Sequence, residues 1–132
     1  DLAVLDVSFI SLAKVLGAVL ACMADGYEML ALVKPQFEVG RERVGKGGVV
    51  RDGDVRRSAL VAVGEAAIEL GADVRSYHSS GLPGPKGNRE TFVWLADPAR
   101  RDGKVATASD GRQEAAGACA ERLEVLAREV EP

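Results

Sequence analysis

The sequence predicts an α/β fold: the second half of a doubly wound sheet, mostly parallel, with a final antiparallel strand. Three observations carry this. Apolar runs of strand length occupy residues 2–7 and 27–33, each is followed by a segment with a candidate covering helix, and two further strand-like runs lie close together near residue 80. With 132 residues and 47% hydrophobic side chains, the chain has the size and apolar content of one packed domain. No apolar run approaches the roughly 18 residues of a membrane span, and no basic-then-apolar leader opens the sequence, so the cytoplasm is the expected compartment.

The elements follow in order. Residues 2–7 are apolar except for Asp6, the pattern of a central parallel strand buried on both faces. Ser11 is placed to cap a helix whose apolar positions, Leu12, Val15, Leu16, Val19, Leu20 and Met23, recur at spacings of three and four, and Asp25-Gly26 supplies a stop. Residues 27–33 read as a second strand ending at Lys34-Pro35, where proline removes a ladder donor. Residues 36–52 contain four glycines and read as a long loop of the functional kind. A second helix is expected from about Asp54 to Gly71, burying Val55, Leu60, Val61, Val63, Ala67, Ile68 and Leu70. Residues 73–79 and 91–95 are the third and fourth strands, joined by a Gly/Pro-rich connection and expected to pair antiparallel. The tail is polar to Arg112 and then helical, with Ala116, Cys119, Leu123, Leu126 and Val130 as a narrow docking stripe. Residues 1–97 form the predicted domain portion, and residues 98–132 a polar linker and carboxyl-terminal helix.

Ligands of open parallel sheets bind beyond the carboxyl ends of the strands. That rule selects Asp6 late in the first strand and Lys34 at the end of the second. Glu90 opens the fourth, and if that strand runs antiparallel it begins on the same edge. Such a cluster could be an ordinary ion pair, but Asp6 interrupts an apolar strand in which an unpaired charge would be costly. A lysine oriented by carboxylates can be tuned to take a proton. The two cysteines, Cys22 and Cys119, have apolar neighbours and no nearby metal-ligand spacing, so both are expected to be buried thiols and no metal site is expected. His78, the single histidine, has no acid or nucleophile placed to work with it and is expected to be structural or exposed.

The net charge of −3 argues against strong non-specific nucleic-acid binding by the whole chain. Locally, Arg41, Arg43, Lys46 and Arg51 cluster in one Gly-rich segment, and Lys86 and Arg89 in another; these are the candidate phosphate contacts, with solvated loop charge as the plain alternative. The run GRERVGKG approaches the phosphate-loop pattern G-x-x-x-x-G-K-[ST], a rival reading as a nucleotide site. Gly47 stands where the magnesium-binding hydroxyl belongs, and Pro35 separates strand from glycines, which speaks against it.

Three runs, LAVLDVSFISL, ALVKPQFEVGRERVGKGGVVRD and LPGPKGNRETFVWL, taken together resemble successive blocks of the TlyA, or haemolysin-like, group of RNA ribose 2′-O-methyltransferases, which are related to FtsJ-type enzymes. The resemblance implies a Rossmann-like class I methyltransferase fold that uses S-adenosylmethionine to methylate the ribose of ribosomal RNA, cytidine among the targets. It further implies a Lys-Asp-Lys-Glu tetrad, of which Asp6, Lys34 and Glu90 match the last three members, and cofactor contacts from Asp6, Val7, Ser8 and Phe9. The family's first lysine, its Gly-rich cofactor turn and its amino-terminal RNA-binding domain have no counterpart in these residues. The chain therefore reads as an excerpt of a longer enzyme, expected to be inactive alone, to bind S-adenosylmethionine weakly or not at all, and to expose a bare first strand prone to dimerisation or strand exchange. The expected partner is ribosomal RNA or a ribosomal subunit. A non-catalytic RNA-binding or membrane-active protein is the alternative, although no Lys- and aromatic-rich amphipathic helix supports the membrane version.

Overall fold

The computed structural model describes residues 1–99 and 115–131. The expected polar stretch to Arg112 lies outside them from residue 100 onward, as does the side chain of Ala116. In chain order the elements are β1 (Leu2–Leu5), α1 (Leu12–Leu20), β2 (Glu28–Val33), a short helix α2 (Pro35–Glu38), a 3-10 turn (Arg41–Arg43), α3 (Gly53–Glu69), β3 (Asp73–Pro83), a second 3-10 turn (Pro85–Gly87), β4 (Arg89–Ala96) and α4 (Ala115–Val130).

The four strands form one sheet in the order β1-β2-β4-β3. β1 pairs parallel with β2, whereas β4 is antiparallel to both β2 and β3. Three strands thus point one way, but because the reversed strand is inserted between two of them the sheet is mixed, with a single parallel pairing. The hairpin of β3 and β4 explains the insertion: a short connection forces the chain to return beside the strand it has just left.

One face of the sheet carries the core. Leu5, Met29, Ala31, Val33, Val93, Leu95 and Val74 pack against Leu12 and Leu16 of α1, Leu60, Val63 and Ala67 of α3, and Leu123 and Ala127 of α4. Alternation along each strand sends the intervening residues to the other face, which no described helix covers: Leu2 and Val4 are 66% and 65% exposed and Trp94 is 37% exposed. The expectation that the first strand is buried on both faces is therefore corrected, because β1 is an edge strand and all three long helices lie on one side. The expectation of a bare strand edge describes it instead.

Helix ends follow the local chemistry. The Ser11 hydroxyl accepts the Ala13 N–H to start α1, and the Asp52 carboxylate accepts the Asp54 N–H to start α3. Gly71 (φ 88°) turns the chain out of α3 in a conformation that other residues rarely adopt. Two apolar expectations fail at helix ends. Leu70 is 46% exposed and Cys22 is exposed, because each lies beyond its helix, where the stripe no longer faces the sheet. Cys119 is only partly buried. His78 is exposed on β3 and hydrogen-bonded to Ser76.

Candidate active site

β1 and β2 both end at the edge where α1 and α2 begin. Past these ends, Lys34 Nζ lies 2.5 Å from Asp6 Oδ1 and donates to Ser8 Oγ at 3.0 Å. The lysine side chain is only 11% exposed, whereas that of Asp6 is 65% exposed. Asp6 therefore sits after the strand and not in its interior, and the burial cost invoked for it from sequence does not apply. A pair with one solvated partner adds no more than about 1 kcal/mol to stability. What it supplies is position: a lysine nitrogen held by two oxygens at the end of a side chain that is mostly buried.

Glu90 reaches the same edge from the other direction. Val33 is paired with Thr91, so the register carried one residue further sets Lys34 opposite Glu90. Alternation puts Asp6, Lys34 and Glu90 on one face. The carboxylate of Glu90 makes no ion pair with Lys34 among the described residues. It turns toward the β3–β4 connection, where a Cβ added at Gly84 would lie 2.5 Å from Glu90 Oε1. That oxygen is buried and has no hydrogen-bond partner, in a recess of about 300 Å³ shared with Arg89 and Glu131. Two of the three predicted site residues thus meet, and the third is adjacent with an unused acceptor.

The loop between Asp6 and Ser11 is open. Phe9 is 90% exposed and Ile10 40% exposed, while Val7 packs partly against the core. Phe9 also has φ 64°, a left-handed conformation that strains a bulky residue. Its ring contacts Phe37 of α2 at a centroid distance of 5.1 Å. The residues beyond Phe37 complete the contact: Glu38 accepts the Ser11 hydroxyl (2.6 Å) and the Leu12 N–H (2.9 Å). Sequence periodicity gave no sign of Phe37 or Glu38, because a four-residue helix is too short to show a stripe.

The long connection expected at residues 36–52 is built as a sequence of tight turns: α2, the 3-10 turn, and a bridge between Gly45 and Val49, with Gly47 and Gly48 at positive φ. Four residues separate Gly48 from α3, so the glycines do not feed a helix amino terminus as a phosphate loop does. Arg41, Arg43, Lys46 and Arg51 are exposed along these turns, as are Lys86 and Arg89 on the β3–β4 connection. Arg89 lies 4.0 Å from the buried carboxylate of Glu131, which offsets part of its charge.

Asn88, which the sequence did not single out, joins the two basic segments. It is 2% exposed; its Oδ1 accepts the Val50 N–H at 3.0 Å and its amide donates to the Gly48 and Pro85 carbonyls. Arg56 braces the same stretch through the carbonyls of Val50 (3.2 Å) and Arg51 (2.7 Å), and Glu131 pairs with it at 2.8 Å. Among the described residues no group of His, Cys, Asp and Glu is placed to hold a metal ion, and no helix is long and apolar enough to cross a membrane. A larger cleft, about 430 Å³, lies around Tyr27 and Asp97 at the opposite ends of the strands, away from Lys34.

The profile of the FtsJ-like methyltransferase family matches residues 1–97. The 16S/23S rRNA (cytidine-2′-O)-methyltransferase TlyA of Mycobacterium tuberculosis is 50% identical over 95 residues, covering 72% of this chain and 35% of that protein. Hemolysin A of Brachyspira hyodysenteriae is 36% identical over 85 residues, 64% of this chain and 35% of its own length. Among solved structures, a protein of Lactococcus lactis provisionally named a hemolysin shares the fold at a TM-score of 0.72 and 33% identity, over 97% of this chain and 54% of that one. The chain thus spans 35% of the length of the curated relatives it matches. With the family profile covering most of its length and the strand-edge residues in place, this chain belongs to the FtsJ-like methyltransferase family.

Proposed function

We propose that the protein to which this chain contributes is an S-adenosylmethionine-dependent methyltransferase acting on a ribose 2′-hydroxyl of ribosomal RNA, cytidine among its targets, in the cytoplasm. The observation that carries this reading is the nearly buried Lys34 held by Asp6 and Ser8 at the ligand-facing edge, with Glu90 opposite it in the strand register. The sheet is then the second half of a Rossmann-like sheet. The open edge of β1 and its bare apolar face suit further elements of such a sheet, or a second copy through strand exchange. Residues 1–97 make the domain portion, and α4 a buttress on α3 and β3.

S-adenosylmethionine supplies an activated methyl group when bound. Asp6, Val7, Ser8 and Phe9 are the residues here that would hold it, and the exposed Phe9 and Ile10 give the loop an apolar surface that fits an adenosyl or methionyl group. No Gly-rich turn accompanies them, so the isolated chain binds this cofactor weakly or not at all. Lys34, in its neutral form or through a hydrogen-bond chain, would draw the ribose proton as the oxygen forms its bond to the methyl group and the methyl–sulfonium bond breaks, and Asp6 fixes the lysine geometry. Glu90, whose unpartnered oxygen is buried against the β3–β4 connection, accepts a hydrogen bond from the ribose once its carboxylate turns toward Lys34. Because the methyl group is already activated, holding the reactants in line carries much of the rate. Arg41, Arg43, Lys46, Arg51, Lys86 and Arg89 contact phosphates, as a surface that the Asn88 clip makes continuous.

The test is methyl transfer to ribosomal RNA by the intact protein, with the product mapped to the ribose. Lys34→Ala is expected to abolish transfer and leave RNA affinity unchanged. Transfer that survives the change removes the catalytic assignment, and RNA binding without any transfer by the unaltered protein favours the non-catalytic reading.

A further inference from the structure

We propose that Glu38 is a positioning residue for the reaction: its carboxylate registers the loop after β1 against the loop after β2, so that Asp6 and Lys34 meet before any substrate arrives. The inference rests on the function proposed above and concerns a side chain that touches neither substrate nor the reacting atoms.

The two loops are joined at three successive points that advance together along both segments. Lys34 bonds Asp6 and Ser8, Phe37 contacts Phe9, and Glu38 takes the Ser11 hydroxyl and the Leu12 N–H. The last contact is the anchor, because both carboxylate oxygens are used and both donors belong to the start of α1. Ser11 can cap its own helix only at Ala13, so without Glu38 the Leu12 N–H would lose its acceptor. A negative charge at this end also suits the helix dipole. Between the anchor at Ser11 and the strand end at Leu5 lies Phe9, whose left-handed conformation is strained for a bulky residue and persists only if its surroundings impose it. Phe37 touches the Phe9 ring, and Glu38 fixes the far end of the same loop at Ser11 and Leu12. Releasing Glu38 lets Phe9 relax toward ordinary φ, and the displacement falls on Ser8 and Asp6, the two partners of Lys34.

The expected signature separates positioning from stability. In the intact protein, Glu38→Ala should lower kcat about ten- to a hundredfold, the scale of a misplacement near 1 Å, with the RNA Kd changed less than twofold. Glu38→Gln should fall between, since its carbonyl oxygen still accepts from Leu12 while its amide cannot accept from Ser11. The control is Ala18→Gly, on the exposed side of α1 and more than a turn beyond the anchor, which weakens the helix without touching either loop; it should lower the melting temperature and leave kcat within twofold. Equal loss of kcat in Glu38→Ala and Ala18→Gly would show that Glu38 merely stabilises α1, and unchanged kcat in Glu38→Ala would overturn the inference outright. If Lys34→Ala transfers methyl groups normally, the catalytic assignment of Lys34 has failed, and if the unaltered protein transfers none, the proposed function has; both results are distinct from those for Glu38. Should Glu38→Ala not fold, Glu38→Gln in this chain keeps the idea testable by NMR: faster exchange at the Leu12 amide with shifted Ser8 and Phe9 resonances supports it, and unmoved Ser8 and Phe9 resonances reject it.

Discussion

Replacing Asn88 by alanine is expected to destabilise the fold by about 2–4 kcal/mol, although the residue lies in a surface connection. The magnitude follows from its partners. The Val50 N–H belongs to a residue only 2% exposed and loses its sole side-chain acceptor, which costs about 1–3 kcal/mol for a buried unsatisfied donor. The Gly48 carbonyl is on an exposed residue and regains water, so it adds little. Emptying the volume of the buried amide adds about 1 kcal/mol. Asn88→Asp should be worse at neutral pH: it keeps the acceptor for Val50 but loses the donor, and it presents a buried carboxylate to the carbonyls of Gly48 and Pro85. Burial raises the pKa of that new carboxyl, so its penalty should shrink as the pH falls and the group becomes neutral. Urea unfolding gives the free energies, and amide exchange at Val50 reports the local clip. A cost below about 0.5 kcal/mol for Asn88→Ala, with Val50 exchange unchanged, would refute the reasoning.

Gly64→Ala should destabilise by about 1–3 kcal/mol despite alanine's better helix propensity, because the new Cβ meets the Tyr77 hydroxyl and lies 2.9 Å from Leu123 Cδ2; thermal melting decides, and a more stable variant contradicts the packing described. Reversing charge at Arg43 and Lys46 in the intact protein should weaken RNA binding and flatten its dependence on salt, whereas an unchanged salt slope rejects these residues as phosphate contacts. Asp97 accepts the N–H groups of Gly26 (2.7 Å) and Ala99 (2.9 Å), which hold its carboxyl below the usual range against a small opposing effect of desolvation. Its folded-state pKa is lower than its unfolded one, so this contribution is present at neutral pH and is lost as the pH falls through the carboxylate range. Asp97→Asn should therefore destabilise the chain at pH 7 and progressively less in acid, as acid titrations of stability can show.

Much of the fold is legible in the sequence because periodicity survives wherever a face is buried. The stripe of Leu12 and Leu16, then Met29, Ala31 and Val33 in β2, and Leu60, Val63 and Ala67 all face the core as their spacing predicts. The errors share a physical origin. Apolar letters in β1 and at Leu70 report hydrophobicity, not what lies against it, and the sequence does not say that all three long helices take one side of the sheet. The candidate site was legible in type and edge: Asp6 and Lys34 pair, and Glu90 stands opposite Lys34 in register. It was not legible in detail, since the direction of the Glu90 carboxylate is set by the close approach of Gly84. Glu38 and Asn88 were missed for a different reason. Each is a polar residue outside the long elements, and its bonds to other segments span 26 or more positions, where neither spacing nor propensity carries a signal.

The most direct test of the account is a double-mutant cycle on Asp6 and Lys34, read as single-turnover methyl transfer by the intact protein under saturating RNA and cofactor. If the lysine handles the ribose proton and the aspartate works through it, Lys34→Ala should slow the step about 10²- to 10⁴-fold. Asp6→Asn should slow it less, and the double variant should be no slower than Lys34→Ala alone. Independent, multiplying losses, or a Lys34→Ala rate within threefold of the unaltered protein, would mean that the pair seen at 2.5 Å is an ordinary ion pair and that the proton leaves by another route.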